Sequence, residues 1–397
     1  MQSITWRATT SVGASAVVLG LCLMGCSSSG TSTAATASFG CVQPGAPLAL
    51  AVGARANTPS PNAALSELSP LISSAASAQA PITVIRIDGQ PHEVFGQSFS
   101  TDAGNSGSRQ QDLDTFLQGL GNVIAKQLPA RAPQADVLTA LTLAAQATKP
   151  GGDVVLVDSG LQTVAPLEFQ KDDLLQADPA DVVNFLRGDQ LLPDLKGRHV
   201  LLMGFGFTAS PQPALDLEQQ QNVVNIWRQI AEAGGASCVS VDSQPPGSAS
   251  VSNVPAVSVV AVPTPPSINT CGDTVLNASN HVNFIENTAT FIDPSGARAT
   301  LQLLADKLAN GEQRVKLIGT TATYGSVPYR INLSDERAEA VKQVLVSLGI
   351  SASRISTEGV GTDWPGHVSD IGPGGVLLPG PAEENREVIA QLSCPET

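Results

Sequence analysis

Residues 315–350 read VKLIGTTATYGSVPYRINLSDERAEAVKQVLVSLGI, and two periodicities meet in them. The first six residues are a short apolar run closed by Gly319 and Thr320, the pattern of a strand. From Leu333 the spacing lengthens. Ala338, Val341, Leu345 and Leu348 recur at helical intervals, with Ser334 as the expected cap and Asp335 and Glu336 in the first turn, where the helix dipole favours acids. Working outward, VNFI at 282–285 reads as a strand, and Leu301, Leu304 and Leu308 read as one helical face. Two further strands are expected at 354–359 and 387–392. Residues 269–397 are therefore expected to form an α+β sandwich.

Upstream the pattern differs. Short Val/Leu/Ile runs at 48–52, 82–87, 153–157, 199–203 and 237–241 alternate with helical patterns at 63–78, 112–127, 134–148, 179–186 and 216–233. VVLV and HVLLM are apolar on both faces, as strands covered by helices on each side must be. Residues 46–242 thus predict an α/β doubly wound parallel sheet. Residues 243–268, rich in Pro, Ser and Val and without charge, read as an extended spacer.

A length of 397 residues fits two or three domains. Lys and Arg number 21 against 35 Asp and Glu, and no stretch concentrates positive charge, so nucleic acid is excluded as an expected partner. Among enzyme signatures, MGFGFTASP at 203–211 has neither the third glycine of a dinucleotide loop nor the GK[ST] of a P-loop, and GxSxG and HExxH are missing. Asp88, Asp158 and Asp242 end strands, which would suit a hard cation if they converged, although an acid capping the next helix or turn is the commoner role. Asp172, Asp173, Asp178 and Asp181 are expected to cap the helix beginning at Pro179. His92, His199, His281 and His367 are scattered. The expectation is a non-enzymatic protein with no catalytic residue, metal or cofactor.

The N-terminus carries Arg7 ahead of an uncharged apolar run at 12–24, the layout of a secretory signal over residues 1–25. Leu23, Met24, Gly25 and Cys26 resemble the lipobox of bacterial lipoproteins, which implies a lipidated Cys26, a flexible tether over 26–45, and attachment to a lipid bilayer through the acyl chains. Of the other cysteines, Cys22 would leave with the signal. Cys41, Cys238, Cys271 and Cys394 remain, an even number in an exported chain. Four cysteines allow three pairings. Cys41 with Cys238 and Cys271 with Cys394 is the preferred one because each pair brackets one segment, and free buried thiols are the alternative.

Asp158-Ser159-Gly160 after a buried strand resembles von Willebrand factor A-type or related Rossmann-like domains. The metal site of that family needs DxSxS after the first strand, whereas GARAN stands here at 53–57. Residues 204–236 also resemble the first domain of exported envelope proteins from high-GC bacteria.

From about 280 to 393 the chain resembles OmpA-like peptidoglycan-binding domains, whose signature runs from a strand ending GHTD through a glycine loop into LSxxRAxxV and closes with NRRVE. Gly319, Thr321, Gly325, Leu333, Ser334, Arg337, Ala338 and Val341 fall at the family spacing, and Asn385 and Arg386 begin the closing motif, with Glu387 in place of its second Arg. In the family the Asp of GHTD and the Arg of LSxxRA hold the charged ends of diaminopimelate in the peptidoglycan stem peptide. Ala322 stands at that Asp and Arg330 at a position usually held by Asn. The resemblance implies a ligand set of Thr321, Gly325, Arg330, Leu333, Ser334, Arg337, Asn385 and Arg386. A guanidinium in the first turn of a helix suits a carboxylate, and a structural salt bridge is its other role. Two functions follow as expectations. One is an envelope lipoprotein that links membrane to wall with the α/β domain as scaffold. The other is an interaction protein whose last domain has lost diaminopimelate binding and docks an unknown envelope protein.

Overall fold

In the first sheet the strands β1 (Leu48–Gly53), β4 (Asp153–Val157) and β5 (His199–Met203) are buried along almost their whole length, as apolar runs covered on both faces require. The computed structural model describes residues 40–394 apart from 172, 173, 246, 248, 263, 265, 266 and 310–312. Residues 1–25, Cys26 and the rest of the expected tether up to 39, Asp172 and Asp173 lie outside the described residues. The remaining elements of this half are α1 (Asn62–Glu67), α2 (Ser69–Ser77), β2 (Pro81–Ile87), β3 (His92–Ser98), α3 (Ser106–Gln127), α4 (Val137–Ala147), α5 (Pro179–Gly188), α6 (Leu217–Ala233) and β6 (Cys238–Asp242).

The strand order is β3-β2-β1-β4-β5-β6. All pairings are parallel except that of β3, which turns back antiparallel on β2 at the edge. The expectation of a parallel sheet holds for five strands and fails for β3, whose sequence HEVFGQS is mostly exposed and polar and gives no apolar run. One core lies between the sheet and α4, α5 and α6, around the fully buried Trp227; the other lies beneath α2 and α3.

The second half comprises β7 (Gly272–Leu276), α7 (Pro294–Ala309), β8 (Val315–Thr320), α8 (Val327–Ser347), β9 (Ile355–Gly361), α9 (Pro379–Glu384) and β10 (Val388–Leu392). Its sheet runs β7-β10-β8-β9, with β8 and β9 parallel and the other pairs antiparallel. The expected strand at 282–285 is instead a loop with one bridge, Phe284 to Phe291. Val282 enters the core while Phe284 stacks on Phe291 at 4.8 Å. The edge position falls to β7.

Cys41 pairs with Cys238 and Cys271 with Cys394, as preferred from the sequence. The second bridge closes the end of the β7/β10 ladder, where Gly272 faces Leu392.

Residues 249–260 are no free spacer. Ala249 accepts from Ser60 N (2.7 Å), Ser258 bonds Asn57 and Gln134, and Val260 exchanges two hydrogen bonds with Gln212 (2.8 and 2.9 Å). Val257 and Val260 are buried. The segment straps the carboxyl ends of the first sheet because its valines have apolar surface to cover and its backbone finds amide partners there. Both sheets belong to one compact unit, Ser38–Thr397.

Candidate functional site

Two glycines let α8 lie close against its sheet. A Cβ on Gly319 would stand 1.9 Å from the Ser334 carbonyl oxygen, and one on Gly359 2.3 Å from the Asp335 nitrogen. Gly325, at φ +73°, turns the chain into Ser326, whose hydroxyl accepts from Tyr329 N (3.4 Å) ahead of a proline in the first turn. The helix thus starts at Val327, about two turns before the expected cap. Ser334 is buried within it, donating to the Ile331 carbonyl (2.9 Å) and accepting from Gly361 N (3.0 Å).

Arg337 therefore lies in the helix body rather than the first turn. It is 4% exposed, with Nε donating to the Thr288 carbonyl (3.0 Å) and the guanidinium 5.2 Å over the Phe284 ring. Among the described residues its Nη atoms make no hydrogen bond. Burial, with Arg386 nearby, pulls its pKa down to about 10.

Thr321, Arg330, Leu333, Arg337 and Arg386 converge on one pocket beside Ala322. Gly325, Ser334 and Asn385 stand outside its wall. Asn385 is fully buried and clamps the loop at Val368 through two 2.9 Å bonds, with a third to Asp370 at 3.1 Å. Arg330 donates to the Gly325 carbonyl (2.7 Å) and so braces the turn.

The pocket is about 20 Å³, room for little more than one water. Asp181 of α5 closes it. This carboxylate was expected to cap its own helix, but Asp178 does so, accepting from Ala180 N (2.8 Å), while Asp181 crosses to pair with Arg386. Glu383 takes the other side of Arg386 at 3.2 Å. Burial pushes Glu383 up to about 7.

Arg337 and Arg386 also border a second, larger space. A cleft of about 130 Å³ runs between the two halves, walled by α6 and Asp178 on one side and by Asn283, Phe284, Glu286 and Ile292 on the other. In its wall Glu218 accepts from Asn283 Nδ2 (2.8 Å) and meets His281 Nδ1 at 2.6 Å. His281, Glu218 and Asp293 bring three possible metal-ligand atoms within 4.8 Å of one another, which the scatter of histidines along the sequence did not suggest. The contact with Glu218 already gives His281 a partner.

In the first half, the crevice beyond β1 and β4, where open α/β sheets bind ligands, holds the chain's own Arg55. It forms a two-pronged ion pair with Asp158, and both side chains are buried. Asp88 is held by Arg86 and by the backbone of Gln90, Arg131 and Ala132; despite burial, these donors keep its carboxyl below the ordinary range. Asp242 accepts from Gln244 N (3.0 Å). Each strand-end acid is thus engaged locally.

The strand–glycine turn–helix unit around Arg337 defines the class of the second half. Residues 283–369 match the OmpA family, and this half is an OmpA-like domain. The probable lipoprotein YiaD of Escherichia coli is 33% identical over 100 residues, 25% of this chain and 45% of that protein. Outer membrane protein A of Bordetella avium is 34% identical over 87 residues, 22% and 43% of the two chains. The chain spans less than half the length of either relative. Among solved structures, the peptidoglycan-associated lipoprotein from Burkholderia pseudomallei is similar at 21% identity and a TM-score of 0.24, covering 28% of this chain and 86% of that one. The cell wall anchor of the T6SS from Pseudomonas aeruginosa is similar at 20% identity and a TM-score of 0.25, covering 31% and 81%. Among the described residues no helix is long and apolar enough to cross a membrane.

Proposed function

We propose that the protein is a non-enzymatic envelope lipoprotein, anchored by an acylated Cys26, whose OmpA-like domain grips the stem peptide of peptidoglycan through Arg337. The observation that carries this reading is the buried guanidinium itself. Among the described residues its Nη atoms make no hydrogen bond, its Nε is fixed by Thr288, and a family-type turn and helix hold it. A carboxylate brought to those donors would form a charge-assisted, two-pronged pair in a site sheltered from water.

The α/β domain serves as scaffold. The strand order and antiparallel edge strand are compatible with the resemblance to von Willebrand factor A-type or related Rossmann-like domains, and Arg55 filling the crevice at β1 and β4 argues against a ligand or cation there. A second reading rests on the closure of the pocket at Ala322 by Asp181: the domain has given up the wall and docks an envelope protein.

Sedimentation of the purified chain with isolated sacculi separates the two. The wall reading predicts that the wild type pellets and that Arg337→Ala, shown folded by its melting transition, stays in the supernatant. A wild type that remains soluble with sacculi would leave the docking reading in its place.

A further inference from the structure

Resting on that reading, we infer that the ligand is received in the cleft between the two domains, so that the α/β domain completes the binding site. The chemistry it fits is a small zwitterion on a hydrocarbon stem, the end group of a diamino acid.

Three observations converge. First, the pocket beside Ala322 is too small for anything beyond about one water, while the cleft on the other side of Arg337 has about 130 Å³ against the roughly 10–15 Å³ one water needs. Second, unpartnered groups of both kinds face this space. Among the described residues Arg337 offers Nη donors that make no hydrogen bond, and Asn283 a buried Oδ1 that accepts none. Third, the local charge is unbalanced. The cleft wall carries the acids Asp178, Asp216, Glu218, Glu286 and Glu383 against the guanidiniums of Arg337 and Arg386, so a ligand bringing just a carboxylate would leave acids uncompensated, whereas an ammonium group offsets them. Phe284 and Ile292 supply apolar wall for the stem. The carboxylate missing at Ala322 is thus replaced from the other domain.

The test uses the full chain, with free meso-diaminopimelate and pimelate, which lacks the ammonium groups, as titrants in calorimetry, and sacculus sedimentation beside them. Gln221 and Asn225 lie one turn apart on α6 and line the cleft from the α/β side. Gln221→Trp and Asn225→Trp should fill it without touching the OmpA-like domain's own fold. The expected result is that the wild type binds diaminopimelate at least tenfold more tightly than pimelate, since one charge-assisted bond is worth that factor. Both Trp variants should lose at least tenfold, as Arg337→Ala does. Retained binding in both Trp variants with loss in Arg337→Ala would overturn the cleft while leaving wall binding intact. Retained binding in all variants, or none in the wild type, would overturn both.

Discussion

Glu387 stands where the family motif has its second arginine, and it is buried with no ion-pair partner among the described residues. Burial, with Glu384 close by, pushes its carboxyl up to about 7 from an ordinary 4.5, and Glu383 rises similarly. A carboxyl with a raised folded-state pKa contributes stability that is fully present below about 4.5 and is lost as pH rises through about 7. The protein should therefore melt higher at pH 5 than at pH 8. Glu387→Gln should raise stability at pH 8 by up to about 3 kcal/mol, leave it nearly unchanged at pH 4.5, and flatten the pH profile of the melting temperature. The Arg55–Asp158 pair gives the opposite kind of test. Asp158→Asn strands a buried cation and should cost about 3–5 kcal/mol in urea unfolding, whereas Arg55→Met with Asp158→Leu should recover most of that loss. Equal losses in the single and double variants would contradict the pairing. Arg337 was legible because its motif is short and dense. Asp181 was not, since nothing local distinguishes a helix-capping acid from one that reaches another domain.

At the scale of elements, the long buried strands and α6 could be read directly, because apolar runs and a 3.6-residue stripe arise from burial itself. Polar β3 and short β7 could not, since an edge strand owes its state to a neighbour's backbone rather than to its own side chains. The helix α8 starts about two turns before the cap expected at Ser334. Ser326 followed by a proline is a start signal, but the apolar stripe begins only at Leu333, and the first turns project beyond the core with Val327, Tyr329 and Ile331 exposed. The contact of α8 with β8 makes Gly319 sensitive. Gly319→Ala should destabilise the domain by at least about 1–3 kcal/mol, the range for overpacking, because the 1.9 Å approach is to backbone that cannot rotate away. Chemical denaturation measures it, and an unchanged midpoint would contradict the described contact.

For the whole molecule, the sequence predicts two bodies and a spacer, and the structure adds the strap and the cleft. Interdomain contacts leave little periodic trace, because Asp181, Glu218 and Arg386 are the kinds of residue that ordinarily face water. The Cys271–Cys394 bridge closes a loop of 123 residues, and its removal in Cys271→Ser with Cys394→Ser should cost up to about 4.7 kcal/mol in the chain-entropy model, read as a lower melting temperature. The central claim is that a zwitterionic stem-peptide end is held by Arg337, and displacement from the wall tests it most directly. Protein bound to sacculi should be released in a dose-dependent way by free meso-diaminopimelate and not by pimelate at the same concentration. Protein that stays in the pellet at saturating diaminopimelate, or that pimelate releases equally well, would contradict the account.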